Sequence, residues 1–159
     1  MTRPLAVVDI DGVVADVRHR LHHLKRKPPQ WGAFFAAAAA DPPLAEGLRR
    51  VLELLDAHDV VFLTGRPERL RGVTQAWLEQ HGLGGLPLYM RGRSDFRPAR
   101  KTKAEQLRRL ASDREVAIVL DDDPDVIDAL RADGWPTELA TWVPHERRLH
   151  DAQEKEGRT

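Results

Sequence analysis

The stretch Leu5-Ala6-Val7-Val8-Asp9-Ile10-Asp11-Gly12 decides the fold. A short apolar run with β-branched members stops at a polar turn. It reads as a strand buried on both faces, the habit of parallel sheets. The form recurs at Val60-Val61-Phe62-Leu63, stopped by Thr64-Gly65-Arg66-Pro67. It recurs again at Val116-Ala117-Ile118-Val119-Leu120, stopped by Asp121-Asp122-Asp123-Pro124. Residues 86–90 and 137–142 are weaker strand candidates. Helical periodicity fills the gaps. Residues 44–58 carry Leu48, Val51, Leu52, Leu54 and Leu55; residues 68–81 carry Leu70, Val73, Trp77 and Leu78; segments 101–111 and 125–133 complete the set. Strands alternating with helices of this length predict an α/β fold, a three-layer Rossmann-like parallel sheet with helices on both faces.

The stretch 15–43 breaks that rhythm. It runs from a basic, His-rich segment through Pro28-Pro29 and WGAFFAAAAA to Asp41-Pro42-Pro43, and reads as a small helical cap inserted after the first strand. Residues 1–145 are therefore expected to form one domain, and the charged residues 146–159, with a single leucine, a frayed tail. With 159 residues, 42% of them hydrophobic, the chain has the length and composition of one globular domain. It has no cysteine, which excludes disulfides, thiolate metal sites and cysteine nucleophiles. No apolar run approaches a membrane span and the N-terminus is not a signal peptide, so a cytoplasmic protein without membrane contact is the expectation.

A net charge of zero conceals segregation. Residues 17–28 hold five Lys or Arg, three His and no acid; residues 91–109 hold eight bases against two acids; residues 121–133 hold six acids against one base. Separate walls of each sign suit an anionic ligand and a cation better than they suit a general nucleic-acid coat. In parallel sheets, ligands bind outside the carboxyl ends of the strands. Three strands here end in polar clusters: Asp9 and Asp11, Thr64, and Asp121 with Asp122. Asp123 and Asp125 read more simply as helix-cap and turn residues. Carboxylates crowded into one pocket repel one another unless a cation is present, and an oxygen-only set favours Mg²⁺. His19, His22 and His23 read as part of a solvated basic face. The four tryptophans read as core or interface residues, with Trp31 and Phe34 the best candidates for substrate contact.

Asp9-Ile10-Asp11-Gly12-Val13-Val14-Ala15-Asp16 resembles the first motif of the haloacid dehalogenase (HAD) superfamily of phosphohydrolases. Thr64-Gly65-Arg66 is similar to its second motif, Lys103 suits the third, and Asp121-Asp122 the fourth. The resemblance implies the HAD fold with Asp9 as nucleophile, forming an aspartyl-phosphate. It implies Asp11 as the acid and base for the leaving alcohol and the incoming water. Thr64 and the amides near Asp11 and Gly65 would bind phosphoryl oxygens, and Lys103 would neutralise charge and hold Asp9 ionised. The Mg²⁺ ligands would be Asp9, the Asp11 carbonyl, and Asp121 or Asp122.

Within that superfamily, Met90-Arg91, Asp95, Arg97 and Lys103 spell M-R-x-x-x-D-x-R-x5-K. This is similar to the phosphatase half of bacterial and phage polynucleotide kinase-phosphatases, which remove 3′-phosphates from nucleic-acid ends. Arg20 and Arg66 match arginines of that family's active site. Asp123 departs from the Arg that often follows the paired Asp there. No G-x-x-x-x-G-K-[ST] is present, so 5′-phosphorylation by this chain is excluded. The expected substrate is a phosphorylated nucleic-acid end or a nucleotide, with any separate kinase or ligase partner left open. Two other readings stand beside this one. A 5′(3′)-nucleotidase shares the D-x-D-G-V-x-A-D motif. A non-enzymatic phospho-acceptor module gathers similar residues in a different chain order. The short insert is expected to leave the site open beside Arg18, Arg20, Lys25, Arg26, Lys27, Arg91, Arg93 and Arg97.

Overall fold

The computed structural model describes residues 2–159. Strand β1 (Leu5–Val8) is central, flanked by β2 (Asp59–Pro67) and β4 (Val116–Asp121). The strands β3 (Leu88–Arg91) and β5 (Thr137–Leu139) form the edges. The order is β3-β2-β1-β4-β5 and every pairing is parallel. The two sides of β1 explain its unbroken apolar run. Ala6 and Val8 face one helical layer, where Val51 and Leu54 of α2 (Ala45–Leu55) meet Trp77 and Leu78 of α3 (Arg71–Gln80). Leu5 and Val7 face the other, where Leu107 of α4 (Ala99–Leu110) meets Val126 and Leu130 of α5 (Pro124–Ala132). This is the expected three-layer α/β sandwich, and the weaker strand candidates are its short, half-buried edges.

Val8 lies opposite Phe62 on one side and Leu120 on the other. Asp9 and Asp121 consequently leave neighbouring strands at one level, where the Asp9 N–H donates to the Leu120 carbonyl at 2.9 Å. The chain moves from β1 outward to β3 and then crosses back to β4. That reversal of strand order opens the crevice at the carboxyl ends of the strands.

Segment 15–43 folds as 3₁₀ turns over Arg18–His23 and Ala37–Ala40 around a short helix, α1 (Trp31–Ala36). Val17, Leu21, Leu24, Phe34 and Phe35 give it a small core of its own. Phe34 is fully buried there and Trp31 stacks on Phe35, so both belong to the cap's packing.

The tail departs from expectation. Residues 146–159 are not frayed: α6 (Arg147–His150) runs into a wide turn at Asp151–Lys155, and Leu149 and Ala152 complete the cap's core. Its charges meet specific partners. Arg148 pairs with Glu156 and donates to the Leu24 carbonyl, Glu154 accepts from Arg100, and His150 faces Asp125. Among the described residues, no helix is long and apolar enough to cross a membrane.

Candidate active site

Asp9, Asp11, Asp121 and Asp122 converge at the carboxyl ends of β1 and β4, and all four are buried. Gly12 makes the convergence feasible. Its φ of +76° turns the chain back under β4, and a Cβ there would stand 1.9 Å from Asp122 Oδ2. Lys103, on the first turns of α4, reaches down from the other layer. Its Nζ donates to Asp121 Oδ2 at 2.6 Å and lies 3.0 Å from Asp9 Oδ1. Asp121 Oδ1 accepts from the Asp123 N–H at 2.9 Å, while Asp123 caps α5 by accepting from the Asp125 N–H.

One ammonium does not balance this group. Burial and the neighbouring Asp121 charge hold the Asp9 carboxyl well above the ordinary carboxylate range, and Lys103 offsets them only in part. Burial and Asp121 push Asp122 up to about 8. Lys103 moves the opposite way: burial disfavours its charge, but Asp121 and Asp9 raise its pKa above the usual lysine value. Asp9 Oδ2 and Asp122 Oδ1 are buried without any hydrogen-bond partner. Carboxylate oxygens of Asp9, Asp121 and Asp122 lie within 4.8 Å of one another. Orphaned oxygens, excess negative charge and an all-carboxylate donor set fit a hard divalent cation such as Mg²⁺.

Asp11 has a different environment. Arg66 Nε and Nη2 donate to its Oδ1 at 3.0 and 2.6 Å, and Arg20 Nη2 lies 3.5 Å away. Burial pushes the Asp11 carboxyl up, but the charges of Arg66 and Arg20 outweigh it and hold the group below the ordinary range. Thr64 Oγ1 accepts from the Arg66 N–H at 3.1 Å, which orders the T-G-R turn at the end of β2.

Both arginines are anchored by a residue that sequence reasoning passed over. Asp41, which read as a boundary before Pro42-Pro43, accepts from Arg20 Nε at 2.8 Å and from Arg66 Nη2 at 2.9 Å. His19 Nε2 lies 2.6 Å from the same carboxylate, so His19 is held by the cap's own acid rather than lying free on a solvated face. The signal available was weak, an acid next to Pro-Pro, because its partners lie 21 and 25 residues away in the chain.

Two expected substrate residues are committed to protein partners. Arg97 is half exposed and pairs with Asp95 and Glu105. Arg91 is buried, and its guanidinium is spent on main-chain oxygens of Gly65, Asp95 and Arg97, tying the M-R-x-x-x-D-x-R loop to the T-G-R turn. Arg18 forms an exposed ion pair with Asp16. The site is also not open on all sides. Thr159 seats beside Gly65 and Asp11, and His145 Nδ1 lies 3.2 Å from Asp122 Oδ2. On the α4 side a basin of ≈ 450 Å³ remains, lined by Thr64, Arg91, Arg97, Lys103 and Arg109 among others.

Residues 4–138 match the family described as the polynucleotide kinase PNKP phosphatase domain, which covers most of the chain. The chain belongs to this PNKP phosphatase-domain family. It is thus a phosphatase domain of the HAD superfamily. Among solved structures, two chains of the Pnkp1/Rnl/Hen1 RNA repair complex are similar. One has a TM-score of 0.70 at 22% identity over 86% of this chain, the other 0.69 at 23% over 87%. This chain spans only 42% and 45% of their lengths. A haloacid dehalogenase-like hydrolase from Streptococcus pneumoniae aligns with a TM-score of 0.60 at 14% identity over 96% of this chain and 91% of its own. A HAD enzyme from Bacteroides thetaiotaomicron, solved with magnesium and inorganic phosphate, aligns at 0.54 with 10% identity over 92% of this chain and 98% of its own. At these identities the structural likenesses establish the shared fold. No curated protein is similar enough in sequence to count as a relative.

Proposed function

We propose that this phosphatase domain is a Mg²⁺-dependent phosphomonoesterase that removes 3′-phosphates from polynucleotide ends through an aspartyl-phosphate. The observation that carries the reading is the division of labour between two carboxylates two residues apart. Asp9 lies among acids and Lys103, where a bound cation would complete the charge balance; Asp11 lies among arginines.

Asp9 is the nucleophile in this reading. Its unpartnered Oδ2 is the oxygen free to attack phosphorus, while Lys103 holds Oδ1. A Mg²⁺ held by Asp9, the Asp11 carbonyl, and Asp121 or Asp122 would shield the phosphate from these acids and orient it. Thr64 and the main-chain amides near Asp11 and Gly65 cradle the remaining phosphoryl oxygens. Arg66 and Arg20 bridge Asp11 and the substrate. When a phosphate dianion draws their charge toward itself, Asp11 loses the interaction that keeps its pKa low. Its carboxyl then moves toward the range in which it can protonate the leaving 3′-oxygen, and afterwards take a proton from water. A strand can leave the site past the cap or along the basin beside Thr64 and Lys103.

The likeness to chains of an RNA repair complex supports a nucleic-acid end as substrate, and a separate kinase or ligase as the enzymes that act before or after this one. A nucleotidase reading has one observation in its favour: the acids are buried under the cap and residues 146–159, which suits a small substrate. A phosphate-release panel separates the two. With Mg²⁺, 3′-phosphorylated oligonucleotides are expected to be hydrolysed with higher kcat/KM than 3′- or 5′-mononucleotides and p-nitrophenyl phosphate. Preference for a 5′-mononucleotide would favour the nucleotidase.

A further inference from the structure

Residues 146–159 lie beyond the stretch that matches the family, and they cross the mouth of its site. Leu149 and Ala152 root the segment in the cap's core, Glu154 receives Arg100, and His150 Nε2 lies 2.9 Å from Asp125 Oδ2. Arg158 places its guanidinium 4.9 Å from the Trp31 ring and 5.4 Å from the Phe96 ring. The path then turns at Gly157, with φ +60°, and delivers Thr159 into the pocket, where it is only 3% exposed. Thr159 Oγ1 donates to Asp11 Oδ2 at 3.3 Å, and Arg91 Nη2 donates to the Thr159 main-chain oxygen at 3.4 Å. A Cβ at Gly65 would stand 2.3 Å from the Thr159 carbonyl carbon.

Thr159 therefore stands against Gly65 and Asp11, the groups that the proposed reaction uses to hold a phosphate. We propose that residues 146–159 are an autoinhibitory strap, which must withdraw from Gly65, Asp11 and Arg91 before a phosphate can seat; this rests on the reading that phosphate binds there. The contacts fit a displaceable occupant. Bonds of 3.3 and 3.4 Å are long for pairs with one charged partner, whereas a phosphate would make shorter bonds with the same cradle. The Arg148–Glu156 and His150–Asp125 pairs of the segment are partly solvated, and pairs of that kind hold weakly. Phosphate binding and strap seating then oppose each other through a shared site.

Gly157→Val in the full chain tests this. A Cβ at Gly157 would meet the Phe96 carbonyl oxygen at 1.9 Å, so the substitution unseats the end of the strap without touching a catalytic group. Inorganic phosphate, titrated by calorimetry, is expected to bind the variant about tenfold more tightly than the wild type. Arg158→Ala, a milder change, is expected to tighten binding several-fold and decides the matter if the valine variant fails to fold. In the wild type, saturating phosphate is expected to speed amide hydrogen exchange over residues 147–156. Unchanged or weaker phosphate binding in a folded variant, exchange indifferent to phosphate, or no phosphate binding by either form would each overturn the strap. Hydrolysis of 3′-phosphorylated strands with unchanged phosphate affinity would remove the strap alone. Tightened phosphate affinity without hydrolysis of any phosphomonoester would keep the strap and remove the proposed reaction.

Discussion

Asp41 illustrates how one side chain can set the geometry of several. Its carboxylate is fully buried and divides its oxygens among Arg20, Arg66 and His19, so the two guanidiniums reach Asp11 already oriented. Removing the charge leaves two buried guanidiniums with Asp11 as their shared anion, and breaking a buried pair in this way costs about 3–5 kcal/mol. Asp41→Asn is expected to lower the melting temperature and to reduce kcat/KM for p-nitrophenyl phosphate by about two orders of magnitude, with kcat falling as well as KM rising. A destabilised variant with full kcat/KM would mean that Asp11 alone places the arginines. The acids of the β1 turn make a different prediction. They are buried at a strand end rather than within the apolar layers, so Asp9→Asn and Asp11→Asn should fold and each lose at least ~10³-fold in turnover, because members of a catalytic unit are not additive. Turnover by Asp9→Asn within about tenfold of wild type would rule out the covalent route.

The elements legible in the sequence are those whose burial is complete. β1, β2 and β4 are enclosed by helices on both faces, so unbroken apolar runs disclosed them, and the polar residues that stop those runs disclosed the cluster of acids. The edge strands β3 and β5 are shorter than expected because only one side of each is paired. What stayed hidden depends on long-range contact. Asp41 acquires its role only when the cap folds against β2, and α6 offers too few apolar residues, Leu149 and Ala152, to stand out among its charges. The common level of β1 and β4 also carries a prediction about metal and pH. Asp9 and Asp122 have raised folded values, with Asp122 near 8. Between the ordinary carboxylate pKa of about 4 and that value, the folded state keeps protons that the unfolded chain has released, so metal-free stability falls as pH rises. Mg²⁺ binds the ionised form and stabilises by mass action, by about 2.7 kcal/mol at a hundredfold excess over its Kd. Its effect on melting temperature is therefore expected to be larger at pH 8 than at pH 6, and to shrink in Asp122→Asn. A melting temperature indifferent to millimolar Mg²⁺ at both pH values would argue against a carboxylate metal site.

At the scale of the whole molecule, the net charge is zero, so a polyanion is drawn in by the local basic patches, whose attraction is screened beyond about 8 Å at physiological salt. The bases expected to line an open site divide into two sets. Arg20 and Arg91 are buried beside Asp11 and Gly65, and Arg18 and Arg97 already hold carboxylates. Lys25, Arg26 and Lys27 on the cap and Arg93 after β3 remain exposed and uncommitted in hydrogen bonding among the described residues. A strand anchored by its terminal phosphate can lay further phosphates against them only if it extends past the cap. Each such contact releases counterions, contributing ~0.7 to the slope of log affinity against log salt for a single strand. The kcat/KM advantage of a 3′-phosphorylated oligomer over the 3′-mononucleotide is thus expected to shrink between 50 and 200 mM salt, as rough bounds of the range in which such contacts weaken. Replacing Lys25, Arg26 and Lys27 together by alanine should flatten that salt dependence while leaving hydrolysis of the mononucleotide intact, because none of the three touches the acids. If the triple variant keeps the wild-type slope, the strand takes another course, and the basin walled by Arg97 and Arg109 becomes the surface to alter next.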